Sequence, residues 1–187
     1  MFADTVLYLA WNEVNLQISW RYNKARVQEY IRVSVGTGWS ADEPTRSWCG
    51  DFAFWVLTRS GVSPLPSISQ VETERNAQGK ITSSGWNTVS RFGKTYPKQS
   101  PKDYTAKPGD MFYMPKVRHP KKGLIETHHF GFVVEDPGKA SNSFKTINGN
   151  GKGNPALMVA DRLGGGYVSY DPQSERGLVE YFVQLPE

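Results

Sequence analysis

The chain contains one cysteine, Cys49, in the stretch Ser47-Trp48-Cys49-Gly50-Asp51-Phe52-Ala53-Phe54-Trp55-Val56-Leu57. This stretch is apolar around most of a helical circumference. With Ser47 as a candidate N-cap and Gly61 as a candidate C-cap, it predicts a central helix running to Ser60. Cys49 then falls in the first turn, where unused backbone N–H groups and the positive end of the helix dipole favour a thiolate. A thiolate is the form that attacks a carbonyl carbon. The same place also suits cysteine as a small buried hydrophobe, so the helix alone leaves both readings open.

The chain has three histidines: His119, His128 and His129. His119 sits in a basic loop beside Pro120. His129 heads an alternating run, in which Phe130, Phe132 and Val134 interleave with His129, Gly131 and Val133, and it should be held by a sheet ladder. Neighbouring strand residues point to opposite faces, so only one of His128 and His129 can face a given site. Asp136-Pro137-Gly138 ends the run, and Phe144 to Asn148 supplies a return strand. A turn centred near residues 138 and 139 places Asn148 across from His129, where an Asn can accept an imidazole N–H and orient the ring. Asn148 taken alone could equally serve a turn, since "INGNGKGN" is rich in turn formers. Together Cys49, His129 and Asn148 form a set suited to acyl transfer.

Other chemistries fit less well. "INGNGKGN" lacks the Gly-Lys-Ser/Thr ending and the following apolar helix of a phosphate loop. No CxxC or HxxxH spacing supports zinc. No metal and no cofactor is therefore expected.

The elements that must position these residues read as one α+β domain spanning residues 1–187. Residues from about 4 to 34 read as helical, with Val27, Tyr30, Ile31 and Val35 forming an amphipathic stripe. Residues 1–40 make a helical N-terminal part, 41–150 carry the motifs, and 151–187 supply closing strands around Asp171-Pro172. A further short helix is expected around Trp86-Asn87-Thr88-Val89, and "KPGDMFYMP" reads as a turn followed by a strand. There are 18 Gly and 12 Pro residues, which favours many turns and short strands over a bundle. A lone cysteine forms no internal disulfide, so the fold does not depend on an oxidising compartment. No apolar run is long enough to span a bilayer, and "MFADTVLYLAWNEV" lacks the positive n-region of a signal peptide. The net charge is +4. Much of the excess lies between Arg91 and Lys122, which suits an acidic polymer or a solvated face. No RNA-recognition motif, zinc-finger spacing or basic heptad pattern points to nucleic acid.

The order of these segments carries a resemblance. "SWCGDFAFWVLTRSGV", "KPGDMFYM", "HHFGFVV" and "TINGN" resemble, from about Trp48 to Asn150, the CHAP group of papain-like cysteine amidohydrolases and peptidases. The resemblance implies a papain-like fold with N-terminal helices and a central antiparallel sheet packed on the cysteine-bearing helix. It implies Cys49 as nucleophile, His129 as general base and Asn148 as the orienting residue, in a place the family often fills with Glu. Asn150 matches the family's Asn two residues on. His128 stands where the family usually has a small residue, and it could line the cleft. Trp39, Trp48 and Trp86 could stack on sugar or cover the core, with core the expectation for Trp48. Glu43 stands where a papain-type Gln oxyanion donor could have been.

The family acts mostly on peptidoglycan, so the implied activity is cleavage of a cell-wall amide bond, by an amidase or an endopeptidase. The absence of a signal peptide fits synthesis in the cytoplasm and action in a target cell's periplasm or wall. That describes a type VI-like antibacterial effector, with a cognate immunity protein, or a phage lysin. Two other readings stay open: a papain-like protease or acyltransferase acting on protein, and a non-catalytic wall-binding module.

Overall fold

The computed structural model describes residues 2–19, 21–35, 48–65, 74–75, 81–83, 92, 95–119, 123–138, 143–151, 154–161, 167–168 and 176–186. Among these, three helices precede ten strands: α1 (Phe2–Asn15), α2 (Lys24–Val35), α3 (Cys49–Ser60), β1 (Glu74–Arg75), β2 (Ile81–Ser83), β3 (Lys98–Gln99), β4 (Met111–His119), β5 (Gly123–Glu135), β6 (Ser143–Gly151), β7 (Asn154–Asp161), β8 (Tyr167–Val168), β9 (Arg176–Leu178) and β10 (Tyr181–Val183). The protein is α+β. No helix among the described residues is long and apolar enough to cross a membrane.

The N-terminal helical region comprises two helices. The chain leaves α1 through Gln17, whose φ is 50°. Asn23 Oδ1 then accepts the Ser19 N–H, and Ser19 Oγ accepts the Tyr22 N–H. Short polar side chains here compete successfully with helical bonding, which hydrophobic periodicity does not register. The expected stripe on the second helix does pack inward: Val27, Tyr30 and Ile31 are fully buried.

A charged network ties the three helices together. Glu13 is buried and accepts both Nε and Nη2 of Arg26, at 2.9 and 2.5 Å, and the Tyr30 hydroxyl as well. Arg26 Nη1 also reaches Glu29, which accepts Trp55 Nε1 and Arg59 Nη2 at 3.0 Å each. The Arg26 guanidinium lies 4.6 Å from the Trp55 ring centroid. A two-pronged Arg–carboxylate bond over an aromatic face fixes both distance and angle between elements. Around it, Tyr30, Trp48, Phe52 and Trp55 meet at tilted or edge angles.

Helix α3 starts at Cys49 with Trp48 in the N-cap position and no side-chain cap bond, and it ends at left-handed Gly61. The expected N-cap, Ser47, lies outside the described residues, as do the segment 86–89 and Asp171-Pro172. Nearly all of α3 is buried, including Cys49, Phe52, Ala53 and Val56.

Among the described residues the main sheet has eight strands, antiparallel in every pairing, in the order β3-β10-β4-β5-β6-β7-β8, with β9 on β4. A separate pair, β1-β2, stands apart. Strand β9 also lies against β7 and β8, so the sheet curls back on itself. Its two faces bury different clusters. Met111, Tyr113, Phe130, Phe132, Ile147 and Val183 pack with the helices. Phe112, Met114, Val133, Phe144 and Phe182 form a second core inside the curl. Period-two alternation along β4 and β5 feeds both.

One expectation changes here. Residues 115–119 and 123–127 belong to strands β4 and β5 and are not a basic loop, so His129 lies inside its strand and does not head it. Of the closing strands, β8 pairs with β7, β9 with β4, and β10 with β3 and β4. The glycine-rich run from Asn148 stays in β6 as far as Gly151, and antiparallel β7 begins at Asn154, opposite Gly151. Asp110 pins the C-terminal strand to the turn before β4. It is buried and accepts the Tyr104 hydroxyl and the N–H groups of Lys107 and Leu185. Burial pushes its carboxyl above the ordinary range, and these bonds oppose that.

The helical network has a testable asymmetry. Arg26→Ala strands the Glu13 carboxylate in the interior and should cost about 3 kcal/mol in urea unfolding. Arg59→Ala removes a solvent-facing pair with Glu29 and a guanidinium 5.6 Å from the Trp55 ring centroid, and should cost about 1 kcal/mol or less.

Candidate active site

Cys49 is buried at the start of α3, on the side of the helix shared with Phe52, Ala53 and Val56. The first helical bond of this element is Phe52 N–H to Trp48 O, at 2.9 Å. The N–H groups of 49–51 precede that bond and lie in the first turn, at the positive end of the helix.

Gly149 seats α3 against the sheet. A Cβ built there would fall 2.6 Å from Phe52 Cβ and 2.9 Å from Phe52 Cγ, so only glycine permits this approach. Phe52 also meets the Phe132 ring at 6.5 Å, edge on. Cys49 is thus one helical turn from a contact made by the residue that follows Asn148.

His129 is paired across β4 with Met114, and its ring lies 6.1 Å from Phe112. It is buried, as is Asn148. The two are joined directly: His129 Nε2 and Asn148 Oδ1 are 3.0 Å apart. Asn148 Nδ2 donates in turn to Thr146 Oγ1 at 3.0 Å. With the carboxamide assigned this way, Oδ1 only accepts, so Nε2 carries the imidazole proton and Nδ1 holds the lone pair.

The pairing is not the one expected from the turn. Phe132 faces Ile147 and Val133 faces Thr146, with a bulge between Val133 and Glu135. Continuing the ladder by one residue sets Asn148 opposite Gly131. The displacement from the expected register is two residues, which preserves the face. Asn148 therefore reaches His129 diagonally, across Gly131. A Cβ on Gly131 would lie 2.6 Å from Asn148 Cβ and 2.7 Å from both Ile147 O and a Phe112 ring carbon. Gly131, Gly149 and Thr146 are positions around this pair that the sequence did not single out. Their legible signals were a glycine between two aromatic residues and a Thr two places before Asn148, hence on its face.

The remaining candidates divide. Trp48 is a core residue, 2% exposed and packed on Tyr30 and Phe52, and does not present its ring to a ligand. His128 and Asn150 have backbone places in β5 and β6. Trp39, Glu43 and Trp86 lie outside the described residues. Of the basic stretch, Lys98, Lys102 and Lys107 are exposed, with the Lys98 ammonium 4.3 Å from the Tyr181 ring centroid. Among the described residues no group of three His, Cys, Asp or Glu side chains is placed to hold a metal ion. Compared with known proteins, the chain matches no family model, no curated sequence and no solved structure.

Burial pushes the His129 imidazole down to about 4, against the opposing effect of the Asn148 bond. The folded site holds a neutral ring where an unfolded chain takes up a proton near pH 6.5. In that window the unfolded state binds more protons, so stability rises with pH and is lost on acidification from about 6.5 towards about 4. Titration of the ring by NMR should show protonation only near the lower value, and His129→Gln should flatten the slope of unfolding free energy across the window. Gly131→Ala should destabilise by about 2 kcal/mol through overpacking and should abolish the signature of the His129–Asn148 bond in the same spectra.

Proposed function

We propose that the chain is a cysteine-dependent hydrolase of the CHAP type, with a papain-like arrangement, cutting an amide bond in peptidoglycan. The observation that carries this reading is the buried His129–Asn148 bond. It uses Nε2 and leaves Nδ1 as the basic nitrogen, and the tie of this pair to Cys49 rests on the order of the motifs. The substrate rests on the resemblance of the four ordered motifs.

In the proposed reaction His129 Nδ1 takes the Cys49 proton as the sulfur attacks the carbonyl carbon. Backbone N–H groups at the start of α3 stabilise the oxyanion. The imidazolium then protonates the departing amine, leaving an acyl-enzyme thioester that water, deprotonated by the same ring, hydrolyses. Asn148 keeps the ring in the required tautomer but supplies no negative charge to stabilise the imidazolium, unlike a Glu. Together with the low basicity of the buried ring, this favours a resting pair that is neutral thiol and imidazole.

Action on a rival's wall as a delivered effector, with an immunity protein as partner, or as a phage lysin, belongs to the same proposal. The complete burial of Cys49 favours a second reading, a wall-binding module whose cysteine is only a core residue.

Isolated sacculi digested with the wild type should release new stem-peptide or sugar-lactyl termini, identified by mass spectrometry. Cys49→Ala should lower the rate by about 10⁴-fold or more, and Asn148→Ala by about 100-fold. Intact sacculi of several wall chemistries after wild-type treatment, with a thiol that resists alkylation in the native state, would favour the binding module instead.

A further inference from the structure

We propose that Thr146 is a positioning residue for this site, acting through Asn148 to fix the imidazole of His129. The inference rests on the reading of His129 as the general base.

An Asn carboxamide has two ends of nearly equal size and opposite hydrogen-bonding character. One end must meet His129 Nε2, and the other must be satisfied in a fully buried place. Thr146 meets that second need. It lies two residues before Asn148 on β6, hence on the same face, and its Oγ1 accepts Asn148 Nδ2 at 3.0 Å. Thr146 is itself fully buried and stands across the ladder from Val133. A β-branched side chain has few χ1 choices, so the hydroxyl is held in a defined place. Gly131 leaves the gap through which the amide reaches diagonally. The chain His129–Asn148–Thr146 thus has an anchored far end, and with Nδ2 engaged by the hydroxyl, Oδ1 faces Nε2.

At this place the hydroxyl can serve an amide or a carboxylate. Thr146 accepts from an amide and, after rotating its proton, donates to a carboxylate. A valine of the same shape can do neither.

The test uses the full chain, with ¹⁵N-labelled histidine, and compares wild type, Thr146→Val and Thr146→Ser. In the wild type, His129 should be the Nε2–H tautomer with a protected N–H proton. Thr146→Val should speed exchange of that proton by about tenfold and mix the tautomers, and Thr146→Ser should restore the wild-type spectrum. Should Thr146→Val not fold, Thr146→Ala takes its place, with the same expectation. A wild-type Nδ1–H tautomer, or a Val or Ala variant with unchanged exchange and tautomer, overturns the proposal. These readouts need no turnover, so they stand apart from a failure of the hydrolase reading. If sacculi are cut, Thr146→Val should lower kcat by about tenfold with KM nearly constant, whereas a fall confined to folded yield, with kcat per folded molecule unchanged, counts against a positioning role.

Discussion

The contact of Phe52 with Gly149 is the constraint on which the arrangement depends. It is a close approach of α3 to β6, and it tolerates no side chain on the strand. Because Cys49 is one turn before Phe52 and Asn148 is the residue before Gly149, the same contact sets how the thiol-bearing helix end lies relative to the strand that orients the imidazole. Moving the helix outward by the width of a methyl group would loosen the Phe52–Phe132 packing and shift the start of α3 together.

The sheet serves two purposes with one alternation. Along β5, Phe130 and Phe132 belong to the core beneath the helices, while Val133 belongs to the core within the curl. His129 is set among aromatic residues as a result, and its ring packs on Phe112. Burial of this kind makes a charged imidazole costly and a neutral one comfortable. An amide partner suits such a site: it orients the ring by hydrogen bonding without placing a second buried charge nearby.

The helical part solves a related electrostatic problem differently. Glu13 is held in the interior by the guanidinium of Arg26 and the hydroxyl of Tyr30, and Glu29 collects Arg26, Arg59 and Trp55 at the edge. Buried charge there is neutralised within the cluster, which joins α1, α2 and α3 through geometry that apolar packing alone leaves free. The N-terminal helices are therefore coupled to the helix that carries Cys49.

Much of this was legible in the sequence where the signal was local. The span of α3 from Cys49 to Ser60, the Gly61 cap, the strand after Lys107-Pro108-Gly109-Asp110 and the hairpin around Asp136-Pro137-Gly138 follow from apolar periodicity and turn chemistry. The pairing of His129 with Asn148 was also readable, because a two-residue register error does not change the face. Other features needed the folded chain. The break between α1 and α2 came from Ser19 and Asn23 satisfying backbone groups. The strand segments 115–119 and 123–127 pair with each other and with β9, which no single segment encodes. The diagonal reach over Gly131, the seat at Gly149 and the anchoring hydroxyl of Thr146 depend on distances between elements far apart in the chain. Local composition fixes which backbone states are cheap, and only tertiary packing decides which atoms meet.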